Sequence, residues 1–276
     1  MTTVTGAVPD QAELPDSHGA TLAAVVRSEW TKFFSVRSTM WALISTFVFT
    51  VGFAALVSWG VSTSYGQMSA QDRASFDATG TSLVGLTFSQ LVIAVLGVLM
   101  ISTEYSIGGI RGTFTAVPRR LRVLLAKAIV LAVVALAIGL LSCFTAFYVG
   151  QLFFASKHIE AHLGDPQVFR AVVGGGLYVA ACALFGLAVG TVLRHTAGAV
   201  TATIALLIVV PPLTLLLPGR WGDAITRYFT SNAGQRIGEV VHTTNALGPW
   251  TGYAVFTAEW AAVLLLGAVL LVRRDA

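Results

Sequence analysis

Charge is what this sequence has least of. Only 11% of its 276 residues are charged, against roughly a quarter in ordinary soluble domains, while 55% are hydrophobic and the mean hydropathy is +0.78. That balance excludes a water-soluble globular class and predicts an all-α integral membrane protein. Cysteine is almost missing too. Cys143 and Cys182 both fall inside long apolar runs, which excludes a disulfide framework and a thiolate metal site and leaves packing as their expected role. The lysines are Lys32, Lys127 and Lys157, none followed by Ser or Thr, so the nucleotide loop GxxxxGK[ST] does not occur. GxSxG, CxxC and HExxH are also lacking, and no close acidic pair lies within the apolar runs. An enzymatic centre, or an ATP site within this chain, therefore has no residues to carry it.

What is present is apolar length. Six stretches, at about 40–60, 83–103, 123–149, 171–193, 197–217 and 251–272, reach the roughly 20 residues that a helix needs to cross a bilayer. The first begins near Met40, is too long for a secretory signal and lacks a convincing small-residue cleavage site, so it is expected to stay in the membrane. Six spans put both termini on one side. On that side lie Arg27, Lys32, Arg37, Arg111, Arg119, Arg120, Arg122, Lys127, Arg194, Arg273 and Arg274; the other side holds Arg73, Lys157, Arg170, Arg220, Arg227 and Arg236. Eleven against six predicts cytoplasmic termini. The net charge of +4 suits basic flanks on anionic lipid, and no basic domain stands outside the membrane to bind nucleic acid.

Residues 1–19 are polar and aperiodic, which reads as a disordered cytoplasmic tail. Over 20–38 the pattern becomes that of an amphipathic interface helix: Leu22, Val25, Val26, Trp30, Phe33, Phe34 and Val36 share one half of the wheel, and Arg27, Ser28, Thr31, Lys32 and Ser35 the other. Glu29 breaks this pattern by falling in the apolar arc. It is expected to reach sideways to the headgroups or pair locally with Lys32, or else to bridge to an arginine of 111–122. Residues 39–276 form the six-span domain.

Outside the spans, 61–82 and about 150–170 read as short polar loops on the outer side. His158 and His162 stand at i, i+4 in the second, a spacing that binds metal only on a helix and with further ligands, so no metal site is expected. Gly174, Gly175, Gly176, Gly186 and Gly190 offer close-approach surfaces in the fourth span. Pro211 and Pro212 predict irregular backbone from the outer part of the fifth span outward. The outer loop 218–250 carries Trp221, Ile225, Tyr228, Phe229, Ile237, Val240, Val241 and Trp250, which predicts interfacial or re-entrant helices. Gln90 and Glu259 are polar residues well inside spans, Glu259 about eight residues and roughly 12 Å from its outer start; both are candidates to line a substrate path.

The segment Glu104 to Lys127, EYSIGGIRGTFTAVPRRLRVLLAK, is basic and broken by glycine and proline between two apolar runs. It must face water or headgroups. Together with RSEWTKFFSVRSTMW (Arg27 to Trp41) and the ending RRDA (Arg273 to Ala276), it resembles the actinobacterial branch of type-2 ATP-binding-cassette transporter permeases, over nearly the whole chain. That resemblance implies a multi-pass permease of the bacterial plasma membrane, paired with a second permease copy as homodimer or heterodimer. It also implies two copies of a separate ATPase that bind ATP and Mg, while this chain binds no cofactor. By the same likeness the loop 104–122 is a coupling helix that docks on the ATPase, carried by Glu104, Tyr105, Gly108, Arg111, Pro118, Arg119 and Arg120. The interface helix contributes Glu29, Trp30, Lys32 and Arg37. Gly109 and Gly112 stand where relatives more often carry threonine, which makes for a softer coupling segment. The function implied is ATP-driven export of a hydrophobic or amphiphilic compound, whether drug, peptide antibiotic or lipid, and hence multidrug or antibiotic resistance. The alternatives are a membrane-embedded enzyme, for which no catalytic groups are visible, and an ATP-independent carrier.

Overall fold

Thr21 opens the first helix. Its hydroxyl accepts a hydrogen bond from Ala24 N at 3.3 Å, satisfying one of the donors that a helix start leaves without a partner, and α1 runs from Leu22 to Ser35. The computed structural model describes residues 21–106, 120–240 and 246–274, and within them regular structure is helical, with no strand. The expected tail 1–19, the middle of the loop 104–122 and five residues of the outer loop lie outside this description.

Val36 takes an extended conformation and separates α1 from α2 (Arg37–Ser64), the first span. At 1.5 Å per residue α2 is about 42 Å long, more than a hydrocarbon core of about 30 Å. Its buried side is a line of small residues four apart, Thr46, Thr50, Ala54, Ser58 and Ser62, which lets neighbouring backbones approach. Thr46 and Thr50 return their hydroxyls to carbonyls one turn back, at 2.9 and 2.7 Å, so these polar groups enter an apolar layer already bonded. Trp41, Ile44, Val48, Leu56 and Trp59 face outward.

The stretch after α2 is more ordered than a polar loop. It holds α3 (Ala70–Ala74), capped by Ser69, and α4 (Ala78–Ser82), capped by Asp77, whose carboxylate accepts from Thr79 N and Gly80 N at 2.9 and 3.0 Å. The second and third spans are α5 (Leu86–Ser106) and α6 (Arg120–Ala155). Gln151 near the far end of α6 donates to Ser82 Oγ at 3.0 Å and accepts from Ala161 N at 2.8 Å, tying the connections on either side of α5 and α6 at that end to one helix. His158 has φ 56° and precedes non-helical backbone, so the two histidines do not share a helical face.

α7 (Val168–Leu193), the fourth span, is the axis of the bundle. It is buried on nearly all sides and packs against α5, α6 and the last span. The contact with α5 is backbone on backbone: a Cβ at Gly186 would lie 1.9 Å from Ala94 O, and one at Gly97 would lie 2.0 Å from Ala183 O. Two glycines thus interlock across the pair, as the spacing of Gly186 and Gly190 suggested.

The fifth span is broken into α8 (Thr196–Ile204), a π turn (Ala205–Val209) and α9 (Val210–Thr214). The irregularity begins before the prolines, not after them. A proline ring at 211 clashes with the carbonyl four residues back, Leu207; the turn widens there, Val210 N donates to Ala205 O, and helix resumes through Pro211 and Pro212. Beyond it, α10 (Gly219–Tyr228) leaves Trp221, Ile225 and Tyr228 exposed, whereas α11 (Thr230–Gln235) and the following 3₁₀ turn are tucked against α7 and the last span, with Ile237 fully buried. The aromatic-rich loop therefore divides into an outward helix and an inward one. The sixth span, α12 (Pro249–Arg274), starts two residues earlier than expected.

Candidate functional site

The polar feature of greatest consequence lies where α1, α5 and α6 meet. Val25, Glu29 and Phe33 form the buried stripe of α1, spaced four apart, so the helix that must bury Val25 and Phe33 must bury Glu29 between them. Lys127 stands seven residues, about 10 Å, into α6, and Glu104 lies in the last turn of α5. Lys127 Nζ donates to Glu29 Oε2 and to Glu104 Oε1, both at 2.7 Å. Lys32, one turn along α1, donates to Glu29 Oε1 at 2.8 Å and lies 3.7 Å from Glu104 Oε1.

Two carboxylates and two ammonium groups alternate, so the cluster is neutral as a whole. Lys127 and Glu29 are each 2% exposed, Glu104 17% and Lys32 46%. Burial of this depth favours uncharged forms. For Glu29 it pushes the carboxyl upward, but the Lys127 charge and hydrogen bond, joined by those of Lys32, hold it below the usual value of 4.5. Burial likewise pushes Lys32 down, and the hydrogen bond and charge of Glu29, with help from Glu104, outweigh it and raise the ammonium above 10.5. Both acid and base therefore stay ionised through the physiological range.

Of the two partners that the sequence offered to Glu29, the local one, Lys32, is present. The long-range cation is Lys127, at the end of the basic segment. Gly108, Arg111, Pro118 and Arg119, with Gly109 and Gly112, lie outside the described residues; Arg120 is the first residue of α6, its side chain likewise outside them. Tyr105 lies under the Arg194 guanidinium, 5.3 Å from ring centre to cation, and Arg194 donates to Leu270 O at 2.9 Å. The head of the loop is thereby tied to the ends of α7 and α12. Trp30 is exposed and packs on Phe34 at 5.0 Å, and Arg37 is exposed at the start of α2. Nothing in the sequence singled out Lys127 beyond its charge inside an apolar run, the same signal that marked Glu259.

At the opposite end, a cavity of about 240 Å³ is lined by Thr87, Gly175, Tyr178, Gln235 and Glu239 among others. The Tyr178 hydroxyl donates to Gln90 Oε1, and Gln90 Nε2 donates to Thr87 O at 3.0 Å. Gln90 is buried and reaches the cavity only through Tyr178. Glu259, ten residues or about 15 Å into α12, is half-buried beside Thr230. No hydrogen bond joins it to Gln90 among the described residues, and neither residue lines that cavity. Sequence reasoning passed over Arg170, which donates to Ile237 O and Glu239 O at 2.8 and 2.7 Å and clamps the inward turn onto α7.

Six helices in the described residues are long and apolar enough to cross a membrane, and the family model for "ABC-2 family transporter protein" matches residues 25–211. The chain belongs to the ABC-2 transporter family. It is a multi-pass membrane permease of an ABC transporter, and membership implies an ABC ATPase partner in general. The ABC-2 match begins at Val25 within α1 and ends at Pro211 in α9, so all four members of the ionic cluster, with Gln90 and Tyr178, lie inside the family region and Glu259 lies beyond it. No curated protein matches the chain in sequence comparison.

Proposed function

We propose that this permease exports a hydrophobic or amphiphilic compound, drug, peptide antibiotic or lipid, and that the Glu29–Lys127–Glu104 cluster carries the stroke of its ATPase into the membrane. The chain works as a homodimer or heterodimer with two ATPase subunits, which hold the ATP and Mg. Its termini and the loop 104–122 face the cytoplasm, in keeping with the eleven-to-six bias of Lys and Arg. The single observation that carries the mechanism is Lys127 bonded at 2.7 Å to both Glu29 and Glu104. These contacts join the interface helix to the two spans that flank the loop, so a push on either α1 or the loop displaces all three together.

Such a link transmits force only if breaking it is costly, and a buried ion pair, in which removing one partner strands the other's charge, meets that condition. The test is reconstitution with the ATPase subunit in vesicles. Lys127→Arg keeps the charge and is expected to retain substrate-stimulated ATP hydrolysis in part, whereas Lys127→Gln in folded protein is expected to leave basal hydrolysis and abolish its stimulation. Full stimulation in Lys127→Gln removes the cluster from the mechanism.

A further inference from the structure

The ionic cluster reaches only part of the bundle. Its bonds join α1, α5 and α6, whereas α12 packs chiefly on α7 and α11. Near the loop end, α12 meets α7 through small groups: a Cβ at Gly267 would lie 2.8 Å from Thr191 Cγ2. Close packing of this kind resists separation but has no direction, so by itself it leaves one helix free to slide along the other. A hydrogen bond fixes the height, because it weakens steeply once its geometry departs from the optimum.

Arg194 supplies that bond. It follows the last residue of α7 with φ 56°, and its backbone N donates to Gly190 O at 3.0 Å. Glycine takes this left-handed cap without strain, so an arginine is held here against its backbone preference. What the arginine adds is its side chain. The guanidinium donates to Leu270 O, one turn before the end of α12, at 2.9 Å and lies 5.3 Å over the Tyr105 ring. It thus stands by the C-terminal ends of α7 and α12, where a cation is favoured, and on the face of an aromatic ring.

Tyr105 directly follows Glu104, and successive residues of a helix point about 100° apart. The end of α5 is therefore a fork. Glu104 is bonded to Lys127 on the side of α1 and α6, and Tyr105 lies under the cation that holds α7 and α12.

We infer that Arg194 is a positioning residue of the transport cycle, a second link, separate from Lys127, that carries motion of the end of α5 into α7 and α12. The inference deepens the coupling mechanism proposed above and rests on it for the source of the motion.

The experiment is double electron–electron resonance on the full chain reconstituted with its ATPase subunit, with Cys143 and Cys182 replaced by alanine. Nitroxides at the exposed positions Thr103 and Val269 report α5 against α12, and at Thr103 and Leu125 they report α5 against α6. With Arg194 and Lys127 in place, both distances are expected to be the same in the nucleotide-free complex and in the complex trapped with ADP and vanadate. Arg194→Gly relieves the left-handed backbone and so keeps the fold; on trapping, its α5–α12 distance is expected to shift while α5–α6 stays. Lys127→Gln is expected to do the reverse, and Arg194→Lys, which keeps a cation at the two helix ends, to reduce the α5–α12 shift. An unchanged α5–α12 distance in Arg194→Gly, beside a shifted α5–α6 distance in Lys127→Gln, overturns this inference alone. A shift of both distances in Arg194→Gly, the mark of general loosening, overturns it too, as does an α5–α12 shift with Arg194 present. Unchanged distances in both variants refute the coupling mechanism and this link with it.

Discussion

Replacing Lys127 by methionine keeps the length of the side chain and deletes its charge. Glu29 then retains only Lys32, and Glu104 loses its 2.7 Å partner and keeps a lysine 3.7 Å away. Removing one partner of a buried ion pair costs about 3–5 kcal/mol, most of it the penalty of the charge left behind. Here two carboxylates are left behind and one is partly compensated, so we place Lys127→Met at the upper half of that range, about 4 kcal/mol. At about 1.4 kcal/mol per tenfold, the unfolded population rises on the order of a thousandfold. Thermal unfolding of the purified chain in detergent, followed by tryptophan fluorescence, reads this directly. The decisive comparison is the triple variant Glu29→Gln, Glu104→Gln, Lys127→Met, in which no buried charge is stranded; it is expected to recover more than half of the loss. If the triple variant is less stable than Lys127→Met alone, stranded charge is not the cause and the argument for the cluster as a rigid link is refuted.

Three further outcomes follow from the geometry. Because the folded-state pKa of Glu29 is depressed, its contribution to stability is fully present above its ordinary value of 4.5 and is lost as pH falls through the lower folded value. A Tm-against-pH curve should therefore fall below about 4.5, and Glu29→Gln should flatten that fall; an unchanged slope sinks the claim. Gly186→Ala places a methyl where only 1.9 Å separates it from Ala94 O, so α5 and α7 must part, at a cost of about 1–3 kcal/mol or more in thermal unfolding. Gln151→Leu removes the bonds to Ser82 and Ala161, at about 1–3 kcal/mol for the donors and acceptors left unsatisfied; protease sensitivity of the two connections that hold Ser82 and Ala161 should rise, and wild-type resistance would mean that Gln151 holds neither.

The architecture was largely legible because apolar length is an unambiguous signal: six runs reported six helices, and the small-residue spacing in the fourth span located a backbone contact. The ends were less legible. α6 continues six residues past the expected limit of 149, to Ala155, because Leu152, Phe153, Phe154 and Ala155 resume the apolar run after Gly150 and Gln151. Glu29 announced itself by violating a helical wheel, but a wheel names the face and not the partner. Lys127 is 98 residues away in sequence, and only the packing of α1 on α6 brings the two together. Gln90 and Glu259 illustrate the opposite case: equal depth in two spans suggested a shared cavity, yet depth fixes height along the bundle and leaves the azimuth free.

The π turn at Ala205–Val209 has a consequence for which way the fifth span faces. Its buried positions are Ala199, Thr203, Leu207 and Pro211, a strict spacing of four in a helix that needs only about 3.6 residues per turn. Each step of four overshoots by about 40°, and two steps in a row would swing the next inward residue well to one side of the bundle. A turn that winds in more than its ordinary share of residues takes the overshoot back. The prolines, by forcing that wide turn, keep Pro211 and Thr214 on the buried side of the span, as Ala199 is. The bulge acts as a vernier, and deleting one residue from it would rotate everything beyond it, α10 included, by about a quarter of a circle.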